Sequence, residues 1–113
     1  MKKDQFVNLT SDERAQLGWA IGGALVGVSE PTWVAWVAVV ERDGLKRAVA
    51  FARTAAESPS VPAAVRQAAR QALRVVRKWP ILRRLPQDEL IEVLHYARWA
   101  LVARRAMIWA EED

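Results

Sequence analysis

Pro62-Ala63-Ala64-Val65-Arg66-Gln67-Ala68-Ala69-Arg70-Gln71-Ala72-Leu73-Arg74-Val75-Val76-Arg77-Lys78 decides how this chain is read. Val65, Ala68, Ala69, Ala72, Leu73 and Val76 recur at the three- and four-residue intervals of a helix that buries one face. Arg66, Arg70, Arg74 and Arg77 keep the same rhythm, at spacings of four, four and three residues. On a helix those spacings return each guanidinium to nearly the same angle every turn, so the four form one stripe. The stretch predicts a helix over residues 62–78 with arginines facing out. It follows Ser58-Pro59-Ser60, the clearest loop in the sequence.

The same three- and four-residue rhythm of Ala, Leu, Val, Arg and Glu runs through the rest of the chain, and alternating strand patterns bounded by hairpin turns are absent. The expected fold is all-α, a compact bundle of about five helices. The 113 residues, 52% of them hydrophobic, suit one domain with a single core over 1–113. Residues 1–9 are expected to be a flexible N-terminus. Thr10-Ser11-Asp12-Glu13 has the spacing of a capping box and opens a first helix whose apolar face is Leu17, Ala20, Ile21, Ala24, Leu25 and Val28. Gly27 and Ser29-Glu30-Pro31 end it. A second helix over residues 31–41, capped near Ser29 or Glu30, carries Trp33, Val34, Trp36, Val37 and Val40 around much of its circumference and is expected at the centre.

Asp43-Gly44 marks the next break, with Asp43 read as the cap of a third helix over 45–56. Leu45, Ala48, Val49, Phe51 and Ala52 form its expected buried face. Pro80 and Pro86 bracket a connector, 81–85, read as a single helical turn. The last helix begins near Gln87 with Asp88 and Glu89 in its first turn, where carboxylates suit the positive end of the helix dipole. Leu90, Val93, Leu94, Ala97, Leu101 and Ile108 give it a continuous apolar stripe.

Charge is unevenly placed. Residues 46–84 hold ten lysines and arginines against Glu57 alone, a net +9, while 1–45 carry −2 and 85–113 carry −3. A chain polarised in this way fits one surface meeting a polyanion. The candidate contacts are Arg66, Arg70, Arg74, Arg77 and Lys78, with Lys46, Arg47 and Arg53 as a second edge and Arg83 and Arg84 continuing the stripe. Arginine offers several fixed donors and stays charged, so such a face can bridge successive phosphates without reading bases. Asn and Gln are scarce and no homeodomain, zinc-finger or basic-zipper spacing occurs, which argues against sequence-specific DNA binding. A solvated basic helix with no partner is the plainer reading of the same residues.

The six tryptophans divide between core and contact. Trp33 and Trp99 are expected in the core, and Trp79 and Trp109 at a subunit interface. Residues 17–40 hold one charge, with Gly18-x-x-x-Gly22 and Gly23-x-x-x-Gly27 spacings that would suit a packed membrane helix. Glu30-Pro31 divides that run into pieces too short to span, so it reads as two buried helices whose glycines permit close approach. Lys2 and Lys3 are separated from the apolar run by Asp12-Glu13-Arg14, unlike a signal peptide.

With no cysteine, there is no disulfide framework, thiol nucleophile or Cys-based metal site, and a cytoplasmic setting is expected. Glu92-x-x-His95 has the one-turn spacing of a di-iron bundle, but His95 is the only histidine and is read as a surface or interface residue. No phosphate loop, paired acidic site or activated serine is visible, so neither catalysis, a metal nor another cofactor is expected.

Two segments together resemble a family. Val39-Val40-Glu41-Arg42-Asp43-Gly44-Leu45-Lys46-Arg47-Ala48-Val49-Ala50-Phe51 is similar to a segment of the small subunit of type III-B (Cmr) CRISPR effector complexes: a helix, Gly-Leu, then Ala-x-Ala-Phe. Leu94-His95-Tyr96-Ala97-Arg98-Trp99-Ala100-Leu101-Val102-Ala103-Arg104-Arg105-Ala106 is similar to its closing helix. The resemblance implies a non-catalytic, RNA-binding architectural role in antiviral defence. Copies would stack head to tail inside a ribonucleoprotein, beside other effector subunits, along the guide RNA–target duplex or the displaced single strand. The residues alone leave two other readings open: a helical scaffold whose basic face binds an acidic protein, and a membrane-associated helical protein.

Overall fold

The computed structural model describes the backbone of residues 6–25 and 27–112, and side chains as far as residue 104. Five α-helices follow one another: α1 (Ser11–Ala24), α2 (Glu30–Asp43), α3 (Leu45–Glu57), α4 (Ala63–Lys78) and α5 (Gln87–Glu112). A 3-10 turn, Pro80–Arg84, joins α4 to α5, and no strand occurs among the described residues.

Local chemistry sets the helix starts. Thr10 Oγ1 accepts from the Glu13 amide at 3.1 Å while the Glu13 carboxylate accepts from the Thr10 amide at 2.8 Å, completing the capping box. Ser29 caps α2, its hydroxyl accepting from the Thr32 amide, and Pro31 occupies the first turn where its missing N–H costs nothing. Asp43 does not cap α3. It ends α2 and pairs with Arg42 at 2.9 Å, and Gly44, at φ 88°, forms the junction with no side-chain cap. That positive φ lets the chain reverse within one residue, so α2 and α3 fold back as an antiparallel hairpin.

Two pairings organise the bundle. The α1–α5 pair is parallel: Arg14 meets Glu89 and Glu92, Gly18 meets Val93 and Tyr96, and Gly22 meets Ala97 and Ala100. Gly18 and Gly22 make this approach possible. A Cβ on Gly18 would lie 2.6 Å from the Val93 carbonyl oxygen, and one on Gly22 2.5 Å from that of Ala97. The second expected pair does not act this way: Gly23 faces open space, and Gly27 serves a turn at φ 71°.

α2 runs antiparallel to α5 at the centre, as its apolar circumference implied. Trp33, fully buried, donates its indole N–H to the Leu94 carbonyl at 3.2 Å, and Trp36 donates to the Ala48 carbonyl of α3 at 3.1 Å. The two indoles lie 5.4 Å apart and tilted by 37°. Arg98 reaches Glu30 at 2.6 Å, and Gln87 donates to the Val40 carbonyl at 2.8 Å, a second donor to an oxygen that also accepts the Gly44 amide at the end of α2. The α3–α4 antiparallel hairpin packs on α2 through small residues, Ala48, Ala52, Ala55, Ala68, Ala69 and Ala72, all buried.

Three expected core residues are exposed. Trp99 is 62% and Phe51 54% accessible, because each lies on the outer side of its helix, beyond the arc the neighbours cover; Ala20 is likewise exposed. Val7 and Leu9, within the segment expected to be flexible, are held: Val7 donates to the Arg84 carbonyl at 2.8 Å and Leu9 to Glu89 at 3.2 Å. No helix among the described residues is long and apolar enough to cross a membrane.

Candidate nucleic-acid interface

The arginine stripe sits on α4 as its spacing requires. Ala68, Ala69, Ala72, Val75 and Val76 are buried, and Arg70, Arg74 and Arg77 are exposed on the opposite face. Arg66 is half-buried, with its Nε enclosed and without a hydrogen-bond partner. At 100° per residue the four arginines span an arc of about 80°. Arg70 reaches across the hairpin, Nη2 donating to the Ala56 carbonyl at 3.4 Å. That carbonyl belongs to the last turn of α3, where a cation meets the negative end of the dipole. Arg77 and Lys78 stand in the same relation to the end of α4.

The hairpin and the 3-10 turn bring together arginines distant in sequence. Arg53 of α3, Arg77 of α4 and Arg83 of the turn line one groove of about 530 Å³ with Glu57, over an apolar floor of Val49, Leu73, Val76 and Pro80. A shallower depression continues it past Arg53, Thr54, Glu57 and Ser58. Other candidate cations lie elsewhere. Lys46 is within about 20° of Arg53 around α3 but two turns earlier, and Arg47 is about 120° away. Arg47 stands one turn after Asp43, and its charge helps hold that carboxyl below the usual range. On a 3-10 turn of three residues per turn, Arg84 is about 120° from Arg83 and so leaves the groove.

Lys78 lies over the Trp79 ring at 5.0 Å from its centroid, a cation–π contact that covers one face of the indole. Trp79 is half-buried against the core. The side chain of Trp109, the other expected interface tryptophan, is outside the described residues. Among the described residues the exposed tryptophans are Trp19, at 54%, and Trp99, both on the α1–α5 pair. No periodicity separates them from core residues; only the placement of α1 against α5 does.

Ion pairing distinguishes the basic segment from most of the other described cations; the exception is Arg104, which donates to the Gly23 carbonyl. Arg14, Arg42 and Arg98 each contact a carboxylate, in pairs with Glu89 and Glu92, Asp43, and Glu30. None of the ten lysines and arginines of residues 46–84 has a carboxylate within 4.0 Å among the described residues. Glu92 is engaged by Arg14 at 2.9 Å rather than by His95, and no group of three metal-ligating side chains occurs among the described residues. Compared with protein-family models, with curated proteins and with solved structures, the chain matches none.

Proposed function

We propose that this chain binds nucleic-acid backbone without sequence specificity through the α3–α4 face, as a non-catalytic subunit of an RNA-guided effector complex in the cytoplasm. The observation that carries the binding reading is the contrast in pairing. Carboxylates neutralise Arg14, Arg42 and Arg98, whereas the cations of α3, α4 and the 3-10 turn are left for an external anion. Guanidinium forks match phosphate oxygens as they match carboxylates, and the repeat of Arg66, Arg70, Arg74 and Arg77 along one stripe suits a run of successive phosphates.

The setting in an effector complex, beside a guide RNA–target duplex or a displaced strand, rests on the resemblance of residues 39–51 and 94–106. The geometry is compatible in one respect. Trp19 and Trp99 lie on the α1–α5 pair and the arginine groove on the α3–α4 hairpin, which leaves two exposed tryptophans as contacts for other subunits or copies while the basic face holds a strand.

Binding of labelled single strands across a series of salt concentrations tests the reading. Affinity is expected to fall steeply with salt and to vary little with base sequence. Equal affinity for polyglutamate and for nucleic acid of the same charge would favour an acidic protein partner instead.

A further inference from the structure

The groove between α3, α4 and the 3-10 turn is built for more than phosphate. It is lined by Arg53, Arg77 and Arg83 and by Val49, Leu73, Val76 and Pro80, of which Leu73 and Pro80 present accessible apolar surface while Val49 and Val76 lie buried beneath. A phosphate gains nothing from such a floor, since its oxygens need donors and aliphatic carbon offers none, and a sugar has only a small C–H face to lay there. A nucleobase has an apolar face to lay on it. The volume of about 530 Å³ leaves room for a base beside a phosphate. Glu57 closes the side of the groove nearest Arg53, one turn away on the same helix, so a phosphate is directed to the Arg77 and Arg83 side. The groove therefore has a cationic end, at Arg77 and Arg83, and an apolar bed.

We infer that the groove seats one unpaired nucleotide of a single strand, its phosphate between Arg77 and Arg83 and its base on Leu73 and Pro80. This deepens the backbone-binding reading and rests on it. It also chooses between strands: in a duplex the base faces are stacked on one another and cannot reach the floor, whereas a displaced or unpaired strand presents them freely.

The test compares three labelled probes of equal phosphate number on the full chain at one salt concentration: a homopyrimidine single strand, the same strand with abasic sugars, and a blunt duplex. The base-bearing strand is expected to bind about fivefold tighter than the abasic one, the effect of burying roughly 40 Å² of apolar base face at about 25 cal/mol per Å². Two variants separate the floor from the charge. Leu73→Lys and Pro80→Lys each add a cation, so an electrostatic surface would bind every probe more tightly. A base seat instead predicts that the preference for the base-bearing strand disappears. Leu73 is half-buried and Pro80 exposed, so Pro80→Lys reads the floor even where Leu73→Lys disturbs folding, which circular dichroism reports. Equal binding of base-bearing and abasic strands, with both variants tighter, would overturn the seat and leave backbone binding standing. No binding of any probe at low salt would overturn both, and so would displacement of the strand by polyglutamate at equal charge.

Discussion

The Cα of Gly22 rests against the backbone of Ala97: a Cβ added at Gly22 would lie 2.5 Å from the Ala97 carbonyl oxygen and 2.5 Å from the Ala100 Cβ. Backbone cannot swing aside as a flexible side chain can, so relief requires α1 and α5 to move apart. Gly22→Ala is expected to cost about 3 kcal/mol, the upper part of the range for overpacked sites. Gly23, the next residue, faces open space in the same helix. Gly23→Ala is expected to stabilise by about 0.5 kcal/mol through backbone entropy and helix propensity. Urea denaturation of the two single variants checks both signs.

Trp33 and Trp99 are expected to differ as sharply. Trp33 is fully buried and donates to the Leu94 carbonyl, so Trp33→Phe removes a hydrogen bond and opens space in the core, at about 2 kcal/mol. Trp99 is 62% accessible, so Trp99→Ser should change stability by less than about 0.5 kcal/mol. Thermal unfolding of the two variants, compared at equal protein concentration, measures the contrast.

That contrast shows where sequence reading stops. The Thr10–Glu13 capping box, the Ser29 cap and the helical rhythm of α4 are local, and each is legible because its partners lie within a turn or two. Exposure of Trp99 and Phe51 depends on which helix stands beside which, and a three- or four-residue rhythm does not carry that information. Asp43 departs from its expected role as the α3 cap for a related reason: the residue ends the preceding helix, where it pairs with Arg42, and Gly44 forms the junction. In the candidate site, the stripe of Arg70, Arg74 and Arg77 follows from spacing alone. The meeting of Arg53, Arg77 and Arg83 in one groove does not, because it needs the α3–α4 hairpin and the 3-10 turn to close.

The Arg42–Asp43 pair sets a pH response. The hydrogen bond from Arg42 is the main cause holding the Asp43 carboxyl below its ordinary value; desolvation opposes it, and the coulombic help from Arg42 and then Arg47 is smaller still. A carboxyl lowered in the folded state contributes stability above its unfolded pKa, and that contribution is lost as pH falls through the folded value. Both side chains are solvent-screened, so the contribution is small. A carboxyl-detected NMR titration should place Asp43 below the ordinary aspartate range, and Arg42→Ala should move it up. An unchanged midpoint in that variant would show that the pair does not persist in solution.

The central claim is that the unpaired arginines of α4 hold a phosphate backbone, and the slope of log affinity against log salt for a single strand measures it most directly. Each arginine that neutralises a phosphate contributes about 0.7 to that slope. Arg70→Ala, Arg74→Ala and Arg77→Ala together are expected to flatten it by roughly 2 and to weaken binding to a similar degree across base sequences, while Arg42→Ala, whose cation is already paired with Asp43, leaves it unchanged. A slope near zero for the wild-type chain, or one that the triple variant leaves as steep as before, would contradict the account.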